Sequence, residues 1–554
     1  MIFVILSNYL ILVSIFGYSL FFKKKIFKTK KTIISNLDIF YGLLFLLFLS
    51  LILNFFFPLK YFTIPIILIG ILLFLIGIKY KNFEINFLYY FIVIFFISFI
   101  AFYGRDNVDS PMYHLQIIKW LSLHKISFGI ANLEIRLGFS SSWHSLLALL
   151  NLTFNSFSAK YYISALIFSF TLYEVIKKRK IKFSYIFLYI FFCYLFLFSY
   201  LHPFYYGVIL NHIGNPERDL VSMFLYFISF YIFIKIFEEK ELTEKKKNLI
   251  NTLVICTFFC VTTRFTNILI LSLPIFVFYK NRNYQVFTNF TNIFILIVGL
   301  FWLIRNFILS GCFIFPIEQS CIETSWSVNI ESVQTFVDEA KRYTRTLPYL
   351  NGVDDYNYSL YTYNWLIPWI KDYLFTTALL QINLSIIIFV CLSLIFKIIF
   401  IKLKGIYLFK IDHFEIMIFI LTFFSILLWM ITPEIRYAWG LHFVLPCFLL
   451  TLFIKNFLIK FFYKLNQKIL LSNLLIIFLL FFLKNISVFK VNDLLTIPNR
   501  ELDFSNIQKI GTFNNFDIFF NYWKCGDYKG ICVNTIKENY EIEKKYSYVF
   551  FKKY

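Results

Sequence analysis

The 554-residue sequence predicts an all-α fold, a polytopic helical membrane protein, and three observations carry that prediction. Hydrophobic residues make up 60% of the chain and charged residues only 15%, with a mean hydropathy of +0.73, well outside the composition of water-soluble domains. The apolar residues fall in runs of about 20, the length a helix needs to cross a hydrocarbon core. Lys and Arg collect in short clusters between those runs, as at Lys23 to Lys31 and Lys177 to Lys182, where the positive-inside rule puts the cytoplasm. The net charge of +22 therefore reflects topology, and no nucleic-acid partner is expected.

Taken in order, the N-terminal stretch MIFVILSNYLILVSIFGYSLFF lacks the basic start and small-residue cleavage site of a signal peptide. It reads as a first span entered from outside. Further spans are expected near 38–57, 61–78, 85–103, 160–176, 184–201, 220–237, 249–263, 265–279, 290–309, 373–400, 414–431, 438–458 and 469–485. That makes about 14 spans with both termini outside. Residues 1–485 form the multi-span membrane domain, with large outer loops at 104–159 and 310–372, and 486–554 form a small extracytoplasmic C-terminal segment. All nine Trp, and every His except His413, fall on the outer side of this topology. Aromatic belts normally decorate both interfaces, so the one-sidedness points to chemistry on the outer face.

The outer loop Gly104 to Asn151 concentrates Arg105, Asp106, Asp109, His114, Lys119, His124, Glu134, Arg136 and His144 between apolar helices. Such groups persist in a membrane protein only in water, at the headgroups or in a protein-lined cavity. Met112 to Leu123 carries helical spacing and reads as a short amphipathic interfacial helix. The apolar piece Trp143 to Phe154, about 12 residues, is too short to span and reads as a second helix along the outer face.

Asp109 and Asp106 follow a span directly, at the depth of a lipid-linked substrate's headgroup. A carboxylate there can act as general base, or hold a divalent cation against a diphosphate. Metal ligands are otherwise unknown, and the cation is the only cofactor raised. The bland alternative is a pair of solvated charges, with Asp109 capping the helix that begins at Pro111. Tyr113, His114 and Lys119 lie within two turns and suit sugar hydroxyls or phosphate, with His114 a further catalytic candidate; they equally suit interfacial anchoring. His144 reads as a satisfied histidine on a short apolar helix.

Arg264, Arg305 and Arg436 each lie at an outer helix end, in TTRFTN, LIRNF and TPEIRYAWG. A guanidinium matches phosphate oxygens bidentately, so these three are candidates for a donor phosphate. The alternative is snorkelling or pairing with Glu434, Glu217 or Asp219. The charged run NPERD, Asn215 to Asp219, opens a span and either lines the same cavity or caps a helix. Trp365 and Trp369 either stack on sugar rings or lie in the headgroup layer. Cys312 with Cys321 and Cys525 with Cys532 flank short outer hairpins and suit disulfides in an oxidising compartment. The other five cysteines lie in apolar spans as small hydrophobes.

The blocks VDSPMYHLQIIKW and ANLEIRLGFSSSWHSLLAL, followed downstream by RNFILSGCFIFP and TPEIRYAWG, resemble an uncharacterised family of bacterial polytopic membrane proteins that looks related to the GT-C glycosyltransferase superfamily. The resemblance covers most of the chain, the first block being its most specific part. It implies a helical membrane core, an acidic residue in the first large outer loop (Asp109 or Asp106) and a polyprenyl-linked sugar donor. The first large outer loop has no Asp-Glu or Glu-Asp pair, and the downstream acidic–Arg element survives as Pro433, Glu434 and Arg436.

The expected function is thus transfer of a sugar from a polyprenyl (di)phosphate to a cell-envelope glycan, lipid or protein, in a bacterial inner membrane with the active face periplasmic. Membrane lipids are expected partners. Two other classes stay open. One is an O-antigen or polysaccharide polymerase or ligase. The other is a lipid or glycan transporter, which calls for inverted repeats and mid-membrane charges.

Overall fold

The computed structural model describes residues 1–553 apart from 28–32, 81–82, 103, 105–108, 155–156, 178–180, 202–211, 240, 242, 282–288, 347–359, 404–411, 459–466, 485–507, 514–515, 521–530, 534–539 and 546–547. Asp106, Arg105, Cys525 and Trp523 lie outside the described residues.

A helix occupies each apolar stretch named above. In chain order the first are α1 (Ile2–Phe27), α2 (Ile39–Phe56), α3 (Thr63–Lys79), α4 (Phe87–Phe102), α5 (Leu115–Leu123), α6 (Ser142–Leu149), α7 (Ser164–Ile176), α8 (Phe183–Leu201), α9 (Asp219–Glu238) and α10 (Glu244–Thr263). They continue as α11 (Ser272–Asn281), α12 (Phe290–Ser310), α13 (Ile330–Arg345), α14 (Leu366–Trp369), α15 (Ala378–Leu403), α16 (His413–Trp429), α17 (Trp439–Phe453) and α18 (Gln467–Lys484). Among the described residues, seven helices are long and apolar enough to cross a membrane, α1, α2, α8, α9, α12, α15 and α17 with their extensions. The reason is local: runs of Phe, Ile and Leu leave no backbone group a partner in lipid except the helix's own ladder. The protein is therefore a helical, membrane-embedded one.

Packing rests on shared apolar faces and a few close backbone approaches. Helix α1 lies against α2, α3 and α4, and α9 against α10 and α17. At the α1–α3 seam a Cβ on Gly17 would sit 1.9 Å from the carbonyl oxygen of Gly70, so the two backbones meet where only glycine fits. One buried polar network links the turn before α2 to α4, α7 and α9 within the bundle. Asn36 donates to Glu174 Oε1 (3.0 Å), the Tyr231 hydroxyl donates to Glu174 Oε2 (3.0 Å), and the Tyr90 hydroxyl donates to Asn36 Oδ1 (2.8 Å). Each member satisfies another away from water.

The two short helices of the first large loop form as helices, but not at a surface. Apart from Lys119 and Leu123, α5 is buried, and α6 is buried throughout. The expected interfacial helix is instead roofed over, because its apolar residues point in every direction and the rest of the chain covers them. Asn54, near the end of α2, ties α5 down by donating to the carbonyls of Leu121 (3.2 Å) and His124 (3.0 Å).

Strands are few and short. The C-terminal segment holds β3 (Gln508–Phe513), β4 (Phe516–Phe520), β5 (Ile531–Val533), β6 (Tyr540–Lys545) and β7 (Tyr548–Lys553), after the minor pair β1 (Thr153–Phe154) and β2 (Phe157–Ser158). β3 and β4 pair antiparallel, β4 and β5 parallel, and β6 and β7 form an antiparallel hairpin. The fold is thus a helical one to which these short strands add only a C-terminal appendage, where alternating polar and apolar residues favour strands. The hairpin docks on the first loop: Phe128 N donates to Val549 O (2.8 Å), and Phe551 N donates to Phe128 O (2.9 Å). Gly129 makes this possible with φ +65°, and a Cβ there would meet Trp326 O at 2.4 Å and Phe551 O at 2.5 Å.

Of the two cysteine pairs expected to bond, Cys312 and Cys321 are disulfide-linked. Cys532 is also disulfide-bonded. Cys193, Cys256, Cys260, Cys391 and Cys447 are free.

Candidate active site

The segment entering α5 begins at Asp109 and winds its first turn, Ser110–His114, as a π-helix, with Leu115 N donating to Ser110 O. The wider turn is typical of functional sites. Asp109 stands at the capping position but makes no capping hydrogen bond. Its Oδ2 lies 2.9 Å from Arg436 Nη1, a contact across 327 residues of sequence. Arg436 also reaches Glu434 Oε1 with its Nε, at 3.3 Å. The turn bearing Glu434 and Arg436 is thus held against the start of α5 by two carboxylates on one guanidinium.

A second layer lies beside it. Arg264 Nη2 pairs with Asp219 Oδ1 at 2.6 Å, its Nη1 donates to the Arg436 carbonyl at 2.6 Å, and its guanidinium lies 5.1 Å from the Tyr437 ring. The Ser110 hydroxyl donates to Asn215 Oδ1 and to Glu217 Oε1 (3.3 Å), and His212 Nδ1 stands 3.1 Å from Glu217 Oε2. The NPERD run is therefore part of the site. In the sequence it was visible as three charges opening an apolar run, but nothing there told lining from capping.

Asp109 keeps 30% of its side chain exposed, against 12% for Glu434, 6% for Asp219 and 1% for Glu217. It is the carboxylate a substrate can reach. Burial pushes the Glu434 carboxyl up from the ordinary range despite the opposing pull of Arg436. Burial and then the Asp109 charge push the Tyr113 phenol well up, so Tyr113 is a neutral hydroxyl beside the carboxylate.

His114 and His144 face each other, Nδ1 to Nε2 at 2.9 Å, both buried. Burial lowers both well below the usual histidine value; His144 and the cations Arg218, Arg264 and Arg436 add to this at His114, and Arg218 and Arg305 at His144. Both rings are neutral at pH 7, one donating to the other. The weaker reading of His144, a lone satisfied residue, gives way to a coupled pair with a buried Nδ1 still unpartnered.

The guanidiniums expected to take phosphate are differently employed. Arg264 and Arg436 are already held by carboxylates. Arg305 stands apart, donating to Asn54 Oδ1 (3.5 Å) and Ser145 Oγ (3.3 Å) beneath α6. The guanidinium left over is Arg218: it lies 4.7 Å from the Phe139 ring, its Nε is buried without an acceptor, and no carboxylate among the described residues pairs with it. Burial lowers its proton affinity from the ordinary arginine value.

Trp365 and Trp369 do not face an open groove; both are buried. Trp369 packs on Trp429 (5.6 Å) and Tyr373 (5.3 Å), and Arg345 covers Trp365 at 4.9 Å. The Tyr373 hydroxyl accepts from Ile435 N (3.1 Å), and Arg345 Nη2 donates to Ile431 O (2.9 Å). Indole rings of this size stabilise by burial, and here they underpin the turn that presents Arg436. Lys119 points away from this site, into a separate cavity.

A family model covers residues 1–445, most of the chain and all of these site residues. The chain belongs to the family described as "Domain of unknown function (DUF8201)". No curated protein and no solved structure matches it. Within this DUF8201 chain no group of three or more His, Cys, Asp or Glu stands ready to hold a metal among the described residues. A divalent cation brought by a diphosphate would draw on one or two carboxylates and the phosphate oxygens.

Proposed function

We propose that this DUF8201 protein is a GT-C-like glycosyltransferase that moves a sugar from a polyprenyl phosphate or diphosphate to a cell-envelope acceptor. The observation supporting it most is that a reachable carboxylate, Asp109, held by Arg436 across 327 residues, and a guanidinium with no acid among the described residues, Arg218, both bear on the Tyr113 phenol. In this reading Asp109 takes the proton from the acceptor hydroxyl as its oxygen bonds to the sugar's anomeric carbon. The bond to the donor phosphate breaks, and the departing lipid phosphate is neutralised by Arg218. Arg436 positions Asp109, and Tyr113 supplies a neutral hydroxyl for the sugar.

The same reading takes about 14 spans and an extracytoplasmic site from the distribution of basic clusters, and a bacterial inner membrane from the family resemblance. The test is deletion of the gene, with lipid-linked sugars and surface glycans analysed after complementation. Asp109→Asn should insert normally yet leave the acceptor unglycosylated and the donor accumulated. Normal glycan in that strain would remove Asp109 from the chemistry.

A further inference from the structure

A second basic site lies at the other end of α5. A cavity of about 330 Å³ opens between the start of α3, the exposed face of α5 and the segment after α6, and Lys60, Lys119 and Lys160 line it together with Thr63 and Asn151. Its size is that of a small-molecule site. No Asp or Glu is among the described residues that line it. From Asp109 to Lys119 is about 15 Å at the helical rise per residue, so this cavity and the candidate active site flank the same helix.

Two features go beyond a patch of solvated lysines. Lys160 is only 4% exposed, its ammonium 5.4 Å from the Tyr161 ring, so its charge is set into the cavity wall and not left in bulk water. Thr63, also 4% exposed, has a buried hydroxyl with no hydrogen-bond partner, and it opens α3, whose first backbone N–H groups lack partners within the helix. An unpaired hydroxyl in such a place implies a missing partner. The local field agrees: burial, followed by the charges of Lys119 and Lys60, pushes the neighbouring His124 down to about 4.

What occupies the cavity is indicated by the surface below it. Ile64 lines the cavity, and from it an apolar stripe runs down α3 through Leu68, Leu72 and Leu75, each more than half exposed. In a membrane protein such a stripe meets acyl chains. We propose that the Lys60–Lys119–Lys160 cavity binds the phosphodiester headgroup of an anionic phospholipid, its acyl chains lying along the exposed face of α3. The three ammonium groups neutralise the phosphate, and the Thr63 hydroxyl donates to one of its oxygens.

The experiment uses the full chain purified in detergent, titrated with phosphatidylglycerol or phosphatidylcholine and read by native mass spectrometry. Phosphatidylglycerol should be retained at least about tenfold more tightly, since each lysine near an anionic surface contributes a factor of about five. The double variant Lys60→Gln/Lys119→Gln keeps the buried Lys160 and should lose about 25-fold in phosphatidylglycerol affinity on the same basis, with phosphatidylcholine retention unchanged. Thr63→Val should weaken phosphatidylglycerol alone by several-fold, and it decides the matter if the double variant does not fold. Equal retention of the two lipids, or undiminished phosphatidylglycerol binding by the folded variants, overturns the proposal. So does displacement of phosphatidylglycerol by millimolar inorganic phosphate, which would make this a site for the free anion.

Discussion

Replacing Arg436 by Met removes the guanidinium that sits 2.9 Å from Asp109 and 3.3 Å from Glu434, while keeping an unbranched apolar stem. Two unit charges about 4 Å apart are worth roughly 4 kcal/mol at an effective dielectric of 20. Asp109 and Arg436 keep 30% and 23% of their side chains exposed, so water screens that pair, and exposed pairs are worth only about 0–1 kcal/mol. Glu434, at 12% exposed, is left behind as a buried carboxylate, and breaking a buried pair costs about 3–5 kcal/mol. Between these limits, Arg436→Met should destabilise by about 2 kcal/mol and Asp109→Asn by about 1 kcal/mol. Because the two share one contact, the double variant should fall short of the sum by about 1 kcal/mol. Equilibrium unfolding in mixtures of mild detergent and SDS measures all three. Additivity to within about 0.5 kcal/mol would mean that the pair carries no coupling, and the site would lose the contact that joins its two halves.

Three further outcomes are expected. His114 and His144 are held neutral, so below an ordinary histidine pKa of about 6.5 the unfolded chain binds more protons than the folded one. Stability should be full above that pH and fall as pH drops, as melting temperatures between pH 5 and 8 will show, and His114→Gln/His144→Gln should shallow the slope, leaving the part that His124 contributes with the same sign. Arg218→Gln should weaken retention of a polyprenyl phosphate by about 10-fold to 100-fold, the worth of a charged hydrogen bond, with little change in unfolding, since it breaks no ion pair among the described residues; unchanged binding would return the donor phosphate to another cation. Gly129→Ala places a Cβ 2.4 Å from Trp326 O and 2.5 Å from Phe551 O. It should release the C-terminal hairpin to limited proteolysis at a cost of about 1–3 kcal/mol, and an unaltered digestion pattern would count against the docking of β7.

The helices were legible residue by residue because hydropathy and length are local properties. Phe183–Leu201 and Phe290–Ser310 contain nothing that would end a helix in lipid, and the basic clusters that separate such runs are equally local. That Asp109 belongs with Arg436 was a matter of shared depth in the sequence and became a contact only in the fold. Arg305, at the same nominal depth and in the same kind of motif, went to Asn54 and Ser145 instead. Depth is one coordinate, and pairing needs the other two.

The same limit explains the tryptophans, the histidines and Arg218. A Trp at a helix end reads as an anchor or a stacking platform, and only the packing of Trp369 against Trp429 and Tyr373 makes it the support for a turn. Composition and periodicity determined that this is a helical membrane protein with its titratable residues gathered in loops. Tertiary structure decided that Arg264 and Arg436 meet acids while Arg218 and Arg305 meet none among the described residues, because neutralisation depends on approach within a few ångströms between groups that the chain can separate by hundreds of residues.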